Sequence, residues 1–194
     1  MQNYQFFSML SRMKNVNRWA LMRNTFTENI SEHSLDVAFI AHALGIITNK
    51  RYSGNVDCNK LAVMAMFHDT TEIITGDLPT PVKYYSKKIK SAYNEVEDVA
   101  KKTLLSYLPE DISSEYVDFF YEKEDDELLW KLVKSADRIS AYIKCIEEKN
   151  MGNKDFETAE QTIYQSIIDI KLPAVKCFME EFIPAFKLTL DEQA

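Results

Sequence analysis

Glycine and proline are so scarce in this chain that most fold classes are closed to it. The 194 residues hold 4 Gly and 5 Pro, against average usage of roughly 7% and 5%. A doubly wound sheet or a β-sandwich uses these residues at its turns. Gly45, Gly54, Gly76 and Gly152 stand far apart. Neither a G-x-G-x-x-G turn nor a Walker-type loop can be written from them, so glycine-rich phosphate cradles are excluded. What remains is a chain of long helices. Its 11 Phe, 10 Tyr and 2 Trp supply too much apolar surface for a disordered segment.

Charge and cysteine content narrow the setting. A net charge of −7 argues against a nucleic-acid polymer or an anionic membrane as partner, though not against a small anion held by local cations. Cys58, Cys145 and Cys177 form no C-x-x-C pair and suit buried thiols in a reducing cytoplasm. Residues 1–13 lack the basic-then-apolar order of a signal peptide. The longest apolar stretch, 37–47, is interrupted by His42 and is short for a membrane span. A cytoplasmic protein without a membrane segment is expected.

The apolar periodicity predicts one all-α domain over 1–194 with about seven to nine helices. Phe6, Met9, Leu10 and Met13 fit a short first helix. Asn29 and Glu32 have capping-box spacing before a helix carrying Leu35, Val37, Ala38, Phe39, Ile40, Ala41, Leu44 and Ile47. Asp57 caps another, which runs into His68-Asp69. Residues 75–81 are the one dense cluster of breakers and predict a loop, since Pro79 and Pro81 cannot both sit inside a helix. A charged helix follows from Ser86 to about Leu108, its buried stripe being Ile89, Tyr93, Val96, Ala100 and Leu104. Asp125 or Asp126 starts a long helix through Ile146, Phe156 to Ile170 forms another, and Pro173 opens the last.

Polar residues on apolar faces carry the chemistry. His33 and His42 are nine residues apart, about 180° around a helix at roughly 100° per residue. His33 shares its side with Val37, Ile40 and Leu44; His42 faces away and reads as a structural histidine. His68 continues the stripe of Leu61, Met64 and Ala65. Asp69 and Glu72 follow at a helix C-terminus, where acidic groups oppose the dipole, and a bound cation would offset that. Asp137 lies mid-helix beside Trp130, Val133 and Ala141. A buried carboxylate there needs an ion-pair partner or a metal. His33, His68, Asp69 and Asp137 together form a mixed N/O donor set suited to Mn²⁺, Co²⁺, Fe²⁺ or Zn²⁺ better than Ca²⁺.

The order H…HD…D is that of the HD-domain metal-dependent phosphohydrolases. Longer stretches resemble the bacterial 5'-deoxynucleotidases of the YfbR type. They are 17–24 (Asn-Arg-Trp-Ala-Leu-Met-Arg-Asn), 27–35 (Thr-Glu-Asn-Ile-Ser-Glu-His-Ser-Leu), 68–72 (His-Asp-Thr-Thr-Glu), 75–84 (Thr-Gly-Asp-Leu-Pro-Thr-Pro-Val-Lys-Tyr) and Ala136-Asp137. Ala20 departs from the pattern, which has Pro after the Arg-Trp pair. The resemblance implies a single-domain HD-type helical bundle and a phosphomonoesterase acting on deoxyribonucleoside 5'-monophosphates. It also implies one divalent metal, commonly Co²⁺, Mn²⁺ or Cu²⁺, and a homodimer. It makes His33, His68, Asp69 and Asp137 metal ligands and Glu72 catalytic. Arg18 and Trp19 become substrate contacts, with Arg18 also serving catalysis, and Asp77, Leu78, Pro79 and Thr80 become readers of the sugar.

The residues support that chemistry. Arg18 offers a fork of N–H donors that a lysine does not match, and Lys83 is a possible second cation. Glu72 can serve the attacking water or the departing 5'-oxygen. The other activities of this superfamily are dNTP triphosphohydrolysis, alarmone hydrolysis and cyclic-nucleotide hydrolysis. These call for more histidines or cations than the sequence offers near the loop. A non-catalytic nucleotide-binding protein would be expected to lack a ligand or Glu72, and none is missing.

Overall fold

The computed structural model describes residues 4–83 and 85–193, so Tyr84, like the side chains of Thr80 and Glu124, lies outside the described residues. Helix α1 (Phe6–Leu10) runs into a 3₁₀ turn, Ser11–Asn15. The chain then loops to α2 (Ile30–Arg51). Here the Asn29 side chain accepts from the backbone N–H of Ser31 and Glu32 at 3.0 and 3.1 Å. Glu32 in turn accepts from the Asn29 N–H at 3.3 Å, completing the expected capping box. Asp57 caps α3 (Cys58–Phe67) through the Lys60 N–H at 2.9 Å. Then come single turns α4 (Glu72–Thr75) and α5 (Thr80–Lys83) and long helices α6 (Lys87–Ser106), α7 (Glu110–Phe120), α8 (Glu127–Asn150), α9 (Glu157–Ile168) and α10 (Pro173–Glu181). Seven of these helices have nine residues or more, and the described residues contain no named strand.

Three differences from the sequence reading have physical causes. Residues 110–120, for which no helix was expected, form α7, with Pro109 as its N-cap. Pro81 sits inside α5, which is possible because a first-turn N–H has no intrahelical partner. Leu35 and Phe39, part of the apolar run of α2, lie on its open side, 48% and 65% exposed. In the same way Ile89 and Val96 are exposed on α6, which buries Ala100, Leu104 and Leu105 near its C-terminal end instead.

The main core joins α2, α3, α8 and α10 through Val37, Leu44, Leu61, Met64, Leu132, Ile139 and Phe178. By length and composition α2 could cross a membrane, being longer than the 37–47 stretch suggested, yet over half of its apolar window is buried in this core. A second, aromatic cluster gathers Phe6, Tyr116, Phe119 and Phe120 around Phe67, whose ring stacks on Phe119 at 5.6 Å. Phe67 ends α3, so α7 fixes the point from which His68-Asp69 projects.

The 17–29 loop is tied at both ends. At its base Asn17 bridges Asn29, and Arg18 N–H donates to Glu28 C=O at 2.9 Å. At its tip the buried Lys144 donates to Phe26 C=O at 2.8 Å and pairs with the buried Glu148. Glu148 also accepts from the Thr25 N–H and from Asn153 Nδ2. Burial alone would raise the Glu148 pKa, but these hydrogen bonds bring it to about 2.

Glu148→Ala should cost about 3–5 kcal/mol, because it strands the Lys144 charge in the interior; urea unfolding measures it. Glu28 is likewise held at about 2 against an ordinary 4.5. Both folded pKa values are depressed, so their stabilisation is fully present above about pH 5 and is lost as the pH falls towards 2. Unfolding midpoints taken across that window should decline, and less steeply in Glu148→Gln.

Candidate functional site

Helices α2, α3 and α8 bring four donors to one point. His33 is fully buried on α2, on the side expected, whereas His42 lies elsewhere and is only partly covered. His33 Nε2 is 3.1 Å from Asp137 Oδ1 on α8 and 3.5 Å from Asp69 Oδ2. Asp69 follows α3, and its Oδ2 is 3.1 Å from His68 Nε2. One ligand atom from each of His33, His68, Asp69 and Asp137 lies within 4.8 Å of every other. Asp137 is less enclosed than a mid-helix core position implied, its side chain being 39% exposed.

The donors fit a metal. His68 Nδ1 donates to Ala65 C=O at 2.6 Å, which fixes the ring and turns Nε2, the nitrogen that a metal would take in place of a proton, to the cluster. That Nε2 is buried and has no hydrogen-bond partner, despite its nearness to Asp69. An orphaned imidazole nitrogen beside two carboxylates matches an N/O ligand set for a divalent ion. The electrostatics agree. Burial works against charge on His68, yet Asp69 and Asp137 raise its pKa to about 9. Asp69 and Asp137 are themselves lowered: burial opposes this, but His68 favours the Asp69 anion, and the His33 hydrogen bond favours that of Asp137. The cluster is built to hold positive charge.

The remaining expected residues surround it. Arg18 Nη1 is 2.8 Å from His33 Nδ1 and donates to Glu28 Oε1 at 2.9 Å, while Nη2 turns to within 3.9 Å of Asp137. Trp19 takes a left-handed backbone, φ 59°, rare for a bulky residue. Its Nε1 donates to Glu28 Oε2 at 2.9 Å, and its ring rests 5.3 Å from that of Phe156. Glu72 begins α4, one turn past Asp69. Burial, reinforced by Asp69 and Asp77, raises its carboxyl pKa well above the ordinary carboxylate range, which favours the protonated acid. Its Oε2 is buried and unpartnered.

Gly76 turns the chain out of α4 with φ 72°, a conformation that favours glycine. It presents the half-buried Asp77, Leu78 and Pro79. Burial raises the Asp77 pKa, partly offset by Arg18; the Thr80 side chain lies outside the described residues. Lys83, read as a possible second cation, donates to Glu97 at 2.8 Å and covers the Tyr93 ring.

The sequence reading missed Glu28. It stands inside the 27–35 stretch and was given no role, yet it is 8% exposed and touches Arg18, Trp19 and His33. The available signal was an acidic residue in a loop that also carries an Arg-Trp pair. Ser140, 3.2 Å from His33 Nδ1, was missed as well, one turn from Asp137 on the same helix.

Comparison with known proteins places this geometry. The family profile described as 5'-deoxynucleotidase YfbR-like matches residues 5–186. A 5'-deoxynucleotidase of Vibrio vulnificus is 45% identical over 192 residues, covering 99% of both chains. One of Erwinia tasmaniensis is 46% identical over 187 residues, 96% of this chain and 94% of that one. Among solved structures, an HD-domain phosphohydrolase of Listeria innocua superposes with a TM-score of 0.81 at 25% identity, covering all of this chain and 93% of that one. The cyanophage S-2L HD phosphohydrolase DatZ, solved with dA and one catalytic Zn²⁺, shares the fold at a TM-score of 0.63 and 17% identity, over 94% of this chain and 96% of that one. By profile, by full-length identity and by fold, the chain belongs to the YfbR-like 5'-deoxynucleotidase family of all-α HD-domain phosphohydrolases.

Proposed function

We propose that this protein is a metal-dependent 5'-deoxynucleotidase, releasing phosphate and a deoxynucleoside from deoxyribonucleoside 5'-monophosphates. The observation that carries the reading is the orphaned Nε2 of His68 beside Asp69, His33 and Asp137, with a guanidinium at the edge of the cluster. His33, His68, Asp69 and Asp137 would hold one divalent ion, Co²⁺, Mn²⁺ or Cu²⁺ by resemblance, with Zn²⁺ or Fe²⁺ also matching the donors. Such an ion, when bound, offsets phosphoryl charge and makes water acidic.

The chain's own groups do the rest. Arg18 Nη1 is held by Glu28, which leaves Nη2 directed to the cluster edge to receive a phosphate oxygen. Trp19 supplies an apolar wall for the nucleoside. Glu72, whose protonated form is favoured by burial and by two neighbouring carboxylates, is placed to give its proton to the departing 5'-oxygen. Asp77, Leu78, Pro79 and Thr80 line the sugar, Asp77 accepting from the 3'-hydroxyl and crowding a 2'-hydroxyl.

The whole of residues 1–194 acts as one domain in this reading. The three cysteines, all unpaired in the structure, support a cytoplasmic setting. The exposed Ile89, Val96 and Val99 of α6 are apolar surface that a second copy would cover in a homodimer.

A phosphate-release panel tests the activity: dAMP should yield phosphate with Co²⁺ or Mn²⁺, and dATP should not yield triphosphate. His68→Ala and Asp137→Ala should lose bound metal and activity together; full turnover in either refutes the site. Glu72→Gln should lower kcat by on the order of 10²–10⁴-fold. In the wild type, kcat should fall as rising pH deprotonates Glu72, and in the variant that alkaline limb should vanish. Asp77→Ala should raise AMP turnover relative to dAMP, measured as the ratio of kcat/KM values; an unchanged ratio removes Asp77 from sugar selection.

A further inference from the structure

Glu28 is the residue at this site to which no role attaches. Its carboxylate is almost fully buried and engages three groups of different purpose. Oε1 accepts from Arg18 Nη1 at 2.9 Å, and Oε2 accepts from Trp19 Nε1 at 2.9 Å. His33 Nδ1 lies 3.5 Å from Oε1, and the same nitrogen is 2.8 Å from Arg18 Nη1 and 3.2 Å from Ser140 Oγ. The main chain of Glu28 is fixed independently, since its C=O accepts the Arg18 N–H and the adjoining Asn17–Asn29 bridge closes the loop.

The geometry points to Glu28 as a positioning residue that sets the metal, phosphate and nucleoside contacts together, a role that rests on the deoxynucleotidase reading of the site. Three physical arguments support it. Arg18 Nη1, a donor, stands 2.8 Å from His33 Nδ1 and by itself would favour a bare Nδ1; the Glu28 carboxylate, 3.5 Å from the same nitrogen, counters this by accepting from Arg18 and favouring a proton on Nδ1, which leaves the Nε2 lone pair for a metal. An arginine side chain has many rotamers of similar energy, and a buried anion at one terminal nitrogen selects the one that aims the other at the site. Trp19 is held at φ 59°, a backbone region that L residues rarely occupy. The bond from its Nε1 is the polar tether that keeps the indole beside Arg18, whose guanidinium carbon lies 5.7 Å from the ring centroid.

Glutamine is the decisive replacement. Its amide has the same size but one acceptor oxygen. Arg18 and Trp19 each present an N–H, so one of them must face an N–H₂ donor instead. The full-length wild type, Glu28→Gln and Glu28→Asp would be compared in three measurements. These are Mn²⁺ affinity by competition with a chromophoric chelator in the absence of substrate, kcat and KM for dAMP, and the thermal unfolding profile.

Glu28→Gln is expected to unfold cooperatively yet to bind Mn²⁺ about tenfold or more weakly, with a raised KM and a lowered kcat. Glu28→Asp, which keeps the charge, is expected to recover part of both losses and carries the same test if the glutamine variant does not fold. A folded variant with wild-type Mn²⁺ affinity and wild-type KM overturns the proposal. A wild type that binds Mn²⁺ but releases no phosphate from dAMP overturns the deoxynucleotidase reading instead, and the chelator titration still decides the role of Glu28.

Discussion

The 3.1 Å approach of His33 Nε2 to Asp137 Oδ1, between α2 and α8, is the contact on which the rest of the site depends. Each partner sits on a helix committed to the core, through Val37 and Leu44 on one and Leu132, Ala136 and Ile139 on the other. A buried imidazole and a carboxylate cannot be left unsatisfied in that position. Their packing sets the α2–α8 spacing at the site, and α3 then delivers His68-Asp69 to the same point.

Charge balance explains the pattern of shifted pKa values. Three carboxylates, Asp69, Glu72 and Asp77, stand along a short segment within reach of one arginine. Burial penalises every one of them. Asp69 remains ionised because His68, His33 and Arg18 face it, and Glu72 takes a proton because too little positive charge is left for it. A dication at the cluster would relieve that repulsion and draw the Glu72 pKa downward. In the proposed function, metal binding and proton donation by Glu72 would thereby be linked through a single turn of chain. Arg18 is shared between these carboxylates and Glu28, which is ionised throughout the neutral range.

What the sequence showed and what it hid divide along physical lines. His33, His68, Asp69 and Asp137 were legible because each interrupts an apolar helical stripe, and an interruption is visible in one dimension. Asn29, Asp57 and Pro173 were legible because caps act within one turn. Glu28 was hidden because its three partners are 9, 10 and 5 residues away with no shared periodicity. The burial of the Lys144–Glu148 pair was hidden because i,i+4 spacing also fits a solvent-facing contact; only the return of the 17–29 loop buries it. Helix α7 was overlooked because its apolar side, Tyr116, Phe119 and Phe120, packs on α1 and the end of α3 rather than on the main core. Ile89 and Val96 were misplaced because an apolar side chain does not reveal which neighbour, if any, covers it.

The central claim is that these four side chains hold one divalent ion. Anomalous diffraction from crystals soaked in Mn²⁺ tests it most directly. The account predicts a single strong peak within ligand-bond distance, about 2.0–2.2 Å, of both His33 Nε2 and His68 Nε2 and of an oxygen from each of Asp69 and Asp137. No peak there, a peak away from His68 Nε2, or two peaks of similar height within the cluster would contradict it.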